Sequence, residues 1–272
     1  MIHMTYKKAI SEKVFDRWKK LNPEYNIELS LDKDCYEFLK QESIEVADLF
    51  TSIPKGCHKA DLWRLFKLYK SGGIYADVDL IPYIKLNRCD PNIFYSCMAV
   101  NNRSIFQAFM MTPPKNPLIL CFIVSFLYNH PYREINGRNG PCTDMYNCIK
   151  YNTGTLESEK NYTIQNVKIP IPILPNESNI KKINLTYFPD ISPTFKMNTS
   201  IPFHVKIENS ILHIERIDGK GWTEKYTCEI ILPSSKVYLF TENGRFPHCS
   251  VFNKNEKLLD SRDPEYVKNN GW

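Results

Sequence analysis

Apolar positions in the first part of the chain switch between the spacing of strands and the spacing of helices. Segments that start at Ile2 and Tyr25 alternate apolar and polar residues, which predicts two short strands. Between them, apolar residues recur at helical spacing, at positions Ile10, Val14, Trp18 and Leu21. This pattern predicts a strand, a helix and a second strand in succession, which is typical of a parallel pair with a helical crossover.

The spacing of apolar residues also predicts elements further along the chain. It predicts helices over 34–41, 58–70, 104–110, 117–128 and 141–151, and strands over 74–80 and 93–100. From residue 152 the chain is rich in proline and short β-type segments, and strands are predicted over 211–217, 226–232 and 236–241. The polar tail from Asn253 is predicted to be loosely held. We therefore predict an α/β fold in which helices flank a mixed, mostly parallel sheet, followed by a β-rich C-terminal portion.

Composition narrows the class of protein. The chain has 272 residues, of which 43% are hydrophobic and 24% charged, with a net charge of +5. These values exclude disordered, collagen-like and coiled-coil proteins, and the mild positive charge does not predict nucleic acid as a partner. We expect one main domain over residues 1–222 and a β-rich extension and tail over 223–272 that packs on it.

The nine cysteines form no C-x-x-C pair and no regular spacing, so neither a zinc ribbon nor a disulfide framework is predicted. We interpret them as buried thiols in a reducing compartment. The opening residues have no apolar core, so no signal peptide is expected, and the longest apolar run, 118–128, is too short to cross a bilayer. We expect a protein without a transmembrane segment that is cytoplasmic or peripheral to a membrane.

The most informative segment is the helix–turn–strand unit CHKADLWRLFKLYKSGGIYADVDL at 57–80. Asp61 and Arg64 are three residues apart in the predicted helix and so lie on one flank. In the predicted strand, Tyr75, Asp77 and Asp79 alternate with apolar residues and would share one face. Two carboxylates that face the same way favour a cation, and their hard oxygen atoms suit magnesium, manganese or calcium better than zinc. The alternative is a solvated strand end with two surface aspartates.

This segment resembles the DXD region of glycosyltransferase family 32, which includes fungal initiating α-1,6-mannosyltransferases and α-1,4-galactosyltransferases, and more distantly the glucosyltransferase domains of large clostridial toxins. The family pattern joins A-D-x-x-R to L-Y-x-x-G-G-I-Y-x-D-x-D. The matching positions are Ala60, Asp61, Arg64, Leu68, Tyr69, Gly72, Gly73, Ile74, Tyr75, Asp77 and Asp79. Weaker landmarks are Asn22-Pro23, the segment 114–118 and Gly140-Pro141. The resemblance covers residues 1–150 and implies a GT-A-like (Rossmann-like) fold.

The resemblance also implies roles for individual residues. Asp79 would bind a divalent metal, Mn²⁺ or Mg²⁺, and Asp77 would reach the donor's ribose and the water shell of the metal. Asp61 and Arg64 would hold hydroxyls of the donor sugar, and Arg64 would also suit the diphosphate; otherwise they are a helix-surface ion pair. Tyr6 would stack on the base, or else belong to the core.

Two further residues are candidates with an open alternative. Tyr75 is either a donor contact or a half-buried aromatic of the strand. Two aspartates and a diphosphate do not complete an octahedral metal site, so a further ligand is required. His213 is the candidate, in the segment ILHIERIDGKGW; the alternative is a structural histidine on a strand, with His204 and His248 as other options.

Taken together, the sequence predicts a metal-dependent, retaining glycosyltransferase. It would move a hexose from a UDP- or GDP-sugar to a hydroxyl of a glycan, glycolipid or protein, with Asp77 and Asp79 as catalytic residues. No second acid placed to form a covalent intermediate is identified, so front-face attack by the acceptor hydroxyl is preferred. The alternatives are an inactive relative that binds sugar or nucleotide, and an aspartate-dependent phosphohydrolase, whose further motifs are not found.

Overall fold

The structure of the protein is a computed structural model. The structure describes residues 1–100, 103–136, 140–173, 180–184, 194–198, 203–208, 211–217, 226–245 and 248–261. These residues divide into two compact units. The first contains residues 1–165 and 234–272, and the second contains residues 166–233.

The first unit carries all six described α-helices and most of the strands. Its helices are α1 (Asp16–Leu21), α2 (Asp32–Glu42), α3 (Ile44–Ser52), α4 (Gly56–Ser71), α5 (Pro117–Asn136) and α6 (Pro141–Thr153). Its strands are β1 (Ile2–Tyr6), β2 (Ile27–Leu31), β3 (Gly73–Ala76), β4 (Leu80–Pro82), β5 (Ile93–Met98), β6 (Phe109–Thr112) and β7 (Asn161–Ile164), joined later in the chain by β14 (Ser235–Arg245), β15 (His248–Asn253) and β16 (Glu256–Ser261).

These strands form one mixed sheet in the order β2-β1-β3-β6-β5-β14-β15-β16-β4, with β7 paired to β14. The predicted α/β class, with helices flanking a mixed sheet, is confirmed. The described sheet is less parallel than expected, because parallel pairing is confined to β1 with β2, β1 with β3, and β5 with β14. The cause lies in hairpins such as β15–β16, whose short turn joins neighbouring strands and so enforces antiparallel pairing.

The crossover β1–α1–β2 forms as the apolar pattern predicts. Ile2 and Met4 of β1 and Trp18 of α1 are fully buried in one core with Ile74 and Ala76 of β3. Burying each of these larger apolar side chains contributes about 1.5–3 kcal/mol relative to exposure. The core therefore fixes β1 beside β3, whose end carries the aspartates.

Two element predictions for the first unit outside residues 57–80 are wrong. Residues 104–110 do not form a helix, because Phe106 N donates to Cys97 O at 2.9 Å and Met110 of β6 pairs with Tyr75 of β3. The chain after Asn253 is not loose up to residue 261, because β16 pairs with β15 and β4 and buries Leu258 and Leu259. The tail beyond 261 lies outside the described residues.

The second unit is built of two three-stranded antiparallel sheets. One has the order β10-β13-β8 and the other β11-β12-β9. The strands are β8 (Val167–Ile173), β9 (Ile180–Asn184), β10 (Thr194–Asn198), β11 (Phe203–Glu208), β12 (Ile211–Arg216) and β13 (Tyr226–Leu232). The predicted division of the chain between residues 222 and 223 falls outside the described residues and stays a prediction.

Two further properties complete the description. Among the described helices, none is long and apolar enough to cross a bilayer. All nine cysteines are free thiols, and six of them are buried.

Candidate functional site

The helix that carries Asp61 and Arg64 ends in a turn that only glycine can make. Gly72, at the end of α4, has φ +61°, and a Cβ there would lie 2.5 Å from Pro114 N. Gly73 follows with φ +93°, and a Cβ there would lie 2.9 Å from Met1 O. A side chain at either position would therefore meet both strain and a clash with backbone. The Gly-Gly turn directs the chain from the helix straight into β3.

The strand after this turn is shorter than the alternation predicts. β3 ends at Ala76, and Asp77 to Asp79 form a turn in which Leu80 N donates to Asp77 O at 3.1 Å. The prediction of one continuous strand over 74–80 is wrong, because the chain turns directly after Asp77, whose N still donates to Ala108 O at 2.8 Å. The apolar residues of this segment are all buried, as predicted: Ile74, Ala76, Val78 and Leu80.

Arg64 lies at the centre of a buried polar cluster. Its Nη2 is 3.2 Å from Asp61 Oδ1 and 3.4 Å from Asp77 Oδ1, its Nη1 donates to Gln107 O at 2.7 Å, and its Nε donates to Ala60 O at 3.1 Å. Burial alone would lower the pKa of Arg64, but the neighbouring Tyr75, Asp77 and Asp61 outweigh it and raise the pKa. The guanidinium therefore stays charged and joins α4 to the turn after β3.

Tyr75 is enclosed in the same cluster. The Arg64 guanidinium lies 4.2 Å from the centre of its ring, and the Trp63 ring meets it edge-on at 6.4 Å. Its hydroxyl donates to Asp77 Oδ1. Burial, with the charges of Asp77 and Asp61 against that of Arg64, raises the pKa of Tyr75 well above its ordinary value. The phenol is therefore protonated at neutral pH and acts as a hydrogen-bond donor to Asp77.

Asp79 lies at the other end of the turn, where the chain enters β4. The strand β4 pairs with β16, so that Leu80 is opposite Ser261. Asp79 is close enough to Cys249 of β15 that its charge contributes to raising the pKa of that thiol, after burial and alongside Glu242. Asp77 is thus contacted by Arg64 and Tyr75, whereas the charge of Asp79 acts on Cys249 of β15.

Two residues of this region were missed by sequence analysis. Gln107 is 93% buried, its main-chain oxygen binds Arg64, and its side-chain Oε1 has no hydrogen-bond partner among the described residues. Cys142, in the first turn of α6, is near enough to Asp61 and Arg64 to respond to both charges, and burial raises its pKa to about 11. Gly140-Pro141 marked this helix start, but nothing in the sequence linked it to Arg64.

The remaining predicted residues lie elsewhere in the chain. Tyr6 is the half-buried last residue of β1, three positions beyond His3, which pairs with Tyr75 of β3. His213 is a half-buried residue of β12 in the second unit, opposite Lys206 of β11. A lysine in this position does not favour cation binding. The roles of Tyr6 and His213 stay predictions.

The donor set of the turn fits a hard divalent cation. Asp61 and Asp77 bring two carboxylates to Arg64, which supplies one positive charge, so a further cation would be favoured. Within the described ranges there is no group of three or more histidine, cysteine or carboxylate side chains that could hold a metal by itself. The fit is therefore to a cation that shares its coordination with water and a ligand.

The chain matches a known family over this same region. Residues 10–95 match the family model described as glycosyltransferase sugar-binding region containing DXD motif. This stretch of the chain is therefore similar to the DXD-containing sugar-binding region of glycosyltransferases. It holds α4, the Gly-Gly turn and both aspartates, and the resemblance inferred from the sequence is confirmed.

Curated relatives from three yeasts are similar to part of the chain. Mannosyl phosphorylinositol ceramide synthase SUR1 of Saccharomyces cerevisiae is 29% identical over 155 residues, covering 52% of this chain and 39% of the relative. Inositol phosphoceramide mannosyltransferase 3 of Schizosaccharomyces pombe is 29% identical over 153 residues, covering 52% and 42%. The initiation-specific α-1,6-mannosyltransferase of Candida albicans is 33% identical over 91 residues, covering 29% and 24%.

The chain thus spans less than half the length of these curated relatives. A solved structure, the PaToxG glycosyltransferase, is similar with a TM-score of 0.44 and 20% identity, covering 55% of this chain and 67% of that one. A likeness at this level carries no information on ligand or reaction.

Proposed function

We propose that this chain is a metal-dependent, retaining glycosyltransferase with a GT-A-like fold that transfers a hexose from a UDP- or GDP-sugar to a hydroxyl acceptor. The observation that carries the proposal is the Asp61–Arg64–Asp77 cluster, which coincides with the matched DXD region. Mannose is the first sugar to test, because the similar relatives are named for mannosyl transfer. Two of those names also contain a phosphorylated inositol lipid, which is the first acceptor to test.

In this proposal, Asp79 and Asp77 would hold a divalent cation, Mn²⁺ or Mg²⁺. The bound cation would stabilise negative charge on the leaving diphosphate. Asp77 keeps its geometry through the Tyr75 hydroxyl and Arg64, so only part of its carboxylate is engaged inside the protein. Asp61 contacts donor-sugar hydroxyls, Tyr6 stacks on the base, and His213 remains the candidate for an additional ligand.

The contacts of Arg64 and Tyr75 favour positioning roles. Arg64 already donates to Ala60 O and Gln107 O and pairs with two carboxylates. Few of the N–H donors of its guanidinium therefore remain for a diphosphate. The Tyr75 ring is covered by Arg64 on one face, and its hydroxyl is bonded to Asp77. Both residues would therefore act on the donor through Asp61 and Asp77.

For the chemical step we propose front-face attack by the acceptor hydroxyl, because no carboxylate is assigned as a nucleophile. The bond between the anomeric carbon and the phosphate oxygen breaks, and the acceptor hydroxyl oxygen forms the new bond on the same face. The acceptor proton passes to the departing phosphate oxygen. A covalent adduct of a hexose on Asp77, Asp79 or any other carboxylate would contradict this path.

The test is hydrolysis of UDP- and GDP-hexoses by the purified chain with Mn²⁺, repeated with EDTA. Asp79→Ala should lower turnover about a hundredfold or more, because cation binding supplies several kcal/mol to the transition state. Asp48→Ala removes an exposed carboxylate from α3 and is the matched control, with turnover expected to be unchanged. Donor binding without turnover would favour an inactive relative, and a lack of any binding would refute the proposal.

A further inference from the structure

A second candidate site lies in the first unit beside α1. It is a cleft of about 970 Å³ between α1, the residues that follow it, and the segment after β4. Its walls combine cations, carboxylates and one aromatic ring. The lining residues are Asp16, Arg17, Lys20, Leu21, Pro23, Glu24, Tyr83, Lys85 and Asn87.

Arg17 is held in place at this cleft by two contacts. Its guanidinium lies 4.0 Å from the centre of the Tyr83 ring, and its Nε donates to Pro82 O at 2.8 Å. Within the part of the chain that the structure describes, Arg17 has no ion-pair partner, so the N–H groups of its two Nη nitrogens are available to a ligand. A stacked guanidinium of this kind is pre-organised for bidentate binding of a phosphate.

The other polar residues of the cleft define the rest of the ligand. Lys20 and Lys85 are exposed and, like Arg17, have no ion pair with any described residue. Asp16 and Glu24 supply acceptor oxygens, which would repel a bare anionic surface but accept hydrogen bonds from hydroxyl groups. We propose that this cleft binds a phosphorylated polyol, such as an inositol phosphate headgroup, with the phosphate on Arg17 and the hydroxyls on the carboxylates.

The experiment measures binding of the full chain, without donor or metal, to two probes. One is inositol 1-phosphate in calorimetry, and the other is phosphatidylcholine vesicles with and without phosphatidylinositol. The variant Arg17→Ala/Lys20→Ala should weaken binding about tenfold or more, because it removes two charged partners of the phosphate. The matched control Lys33→Ala/Lys40→Ala removes two exposed lysines from α2, outside the cleft, and should bind as the unchanged chain does.

Each outcome decides the proposal. Binding of both inositol 1-phosphate and phosphatidylinositol vesicles supports the proposal and identifies a lipid headgroup as a ligand. Binding of inositol 1-phosphate alone also supports it and identifies the free phosphate as the ligand. Equal binding to phosphatidylserine vesicles, an equal loss in the two double variants, or no binding would overturn it. Lys85→Ala, a single exposed change, should show a smaller loss and guards against misfolding of the double variant. Because the binding experiment contains no nucleotide sugar, its result does not depend on the outcome of the donor hydrolysis assay.

Discussion

Arg64 and Tyr75 together control how Asp77 is presented. The guanidinium covers the face of the ring, and both groups contact the same oxygen of the carboxylate, Oδ1. A cation–π contact of a desolvated arginine contributes about 2 kcal/mol. The hydroxyl of Tyr75 adds a hydrogen bond to an ionised acceptor, which is shorter and stronger than a neutral one. We therefore expect the hydroxyl of Tyr75 to orient Asp77.

Tyr75→Phe tests this claim because it keeps the ring and removes only the hydroxyl. We expect donor turnover to fall about tenfold, with a higher Mn²⁺ concentration needed for half-maximal rate, while the free energy of unfolding falls by only about 1–2 kcal/mol. Steady-state kinetics and urea denaturation measure the two effects.

The matched control is Tyr238→Phe. It also removes one phenolic hydroxyl of the same sheet, which donates to Asn253 Oδ1 at 2.8 Å. Stability should change by a similar amount with unaltered turnover. Equal kinetics for the two variants would show that the hydroxyl of Tyr75 has no special role.

At the scale of elements, the Gly-Gly turn sets the direction in which β3 leaves α4. Gly72→Ala would introduce a methyl group 2.5 Å from Pro114 N at a positive φ. We expect the free energy of unfolding to fall by about 2–4 kcal/mol, from backbone strain and the clash together, measured by chemical denaturation.

Gly154→Ala separates these two causes. Gly154 also has a positive φ, +76°, but nothing lies within 4 Å of the added methyl group. Its substitution should cost only about 1 kcal/mol, the part due to backbone conformation. Equal losses at the two positions would mean that packing against Pro114 is unimportant.

Elements whose partners are close in sequence could be predicted, and those fixed by distant partners could not. The helix of Asp61 and Arg64 followed from its local pattern and its Gly-Gly stop. The turn after Asp77 did not, because apolar and polar residues continue to alternate through it up to Leu80. The strand β16 was missed because the segment after Asn253 is polar and its other neighbour, β4, lies far earlier in the chain. Within the candidate site, the motif residues were identified, whereas Gln107 and Cys142 required the tertiary contacts.

At the scale of the whole molecule, one buried histidine links stability to pH. His3 Nδ1 is 2.9 Å from Glu28 Oε2 and its Nε2 is 3.2 Å from Gly72 O, while Lys67 pairs with Glu28 at 3.0 Å. Burial, and then the charge of Lys67, lower the pKa of His3 below its ordinary 6.5. The unfolded chain therefore takes up a proton at a higher pH than the folded chain does.

It follows that stability should fall as pH decreases from about 6.5 towards the lowered pKa of His3, and that this loss then levels off. One histidine contributes at most about 1.4 kcal/mol per pH unit. Glu28, whose pKa is lowered by Lys67 and His3 against the effect of burial, adds a further loss only below about 4.5. Urea denaturation across this pH range measures the slope.

His3→Gln should flatten the upper part of that slope. The exposed His248→Gln should leave it unchanged and is the control. If the slope above pH 5 persisted in His3→Gln, another group would have to be responsible.

The pairing of β4 with β16 also has a consequence for biosynthesis. The turn that bears Asp79 is followed by β4, and the described neighbour of β4 in the sheet is β16, which is translated much later than the turn. A ribosome releases the N-terminal segments first. The aspartate turn thus leaves the exit tunnel well before this sheet neighbour is made, so nascent chains should acquire the proposed binding of nucleotide sugars only after translation of β16.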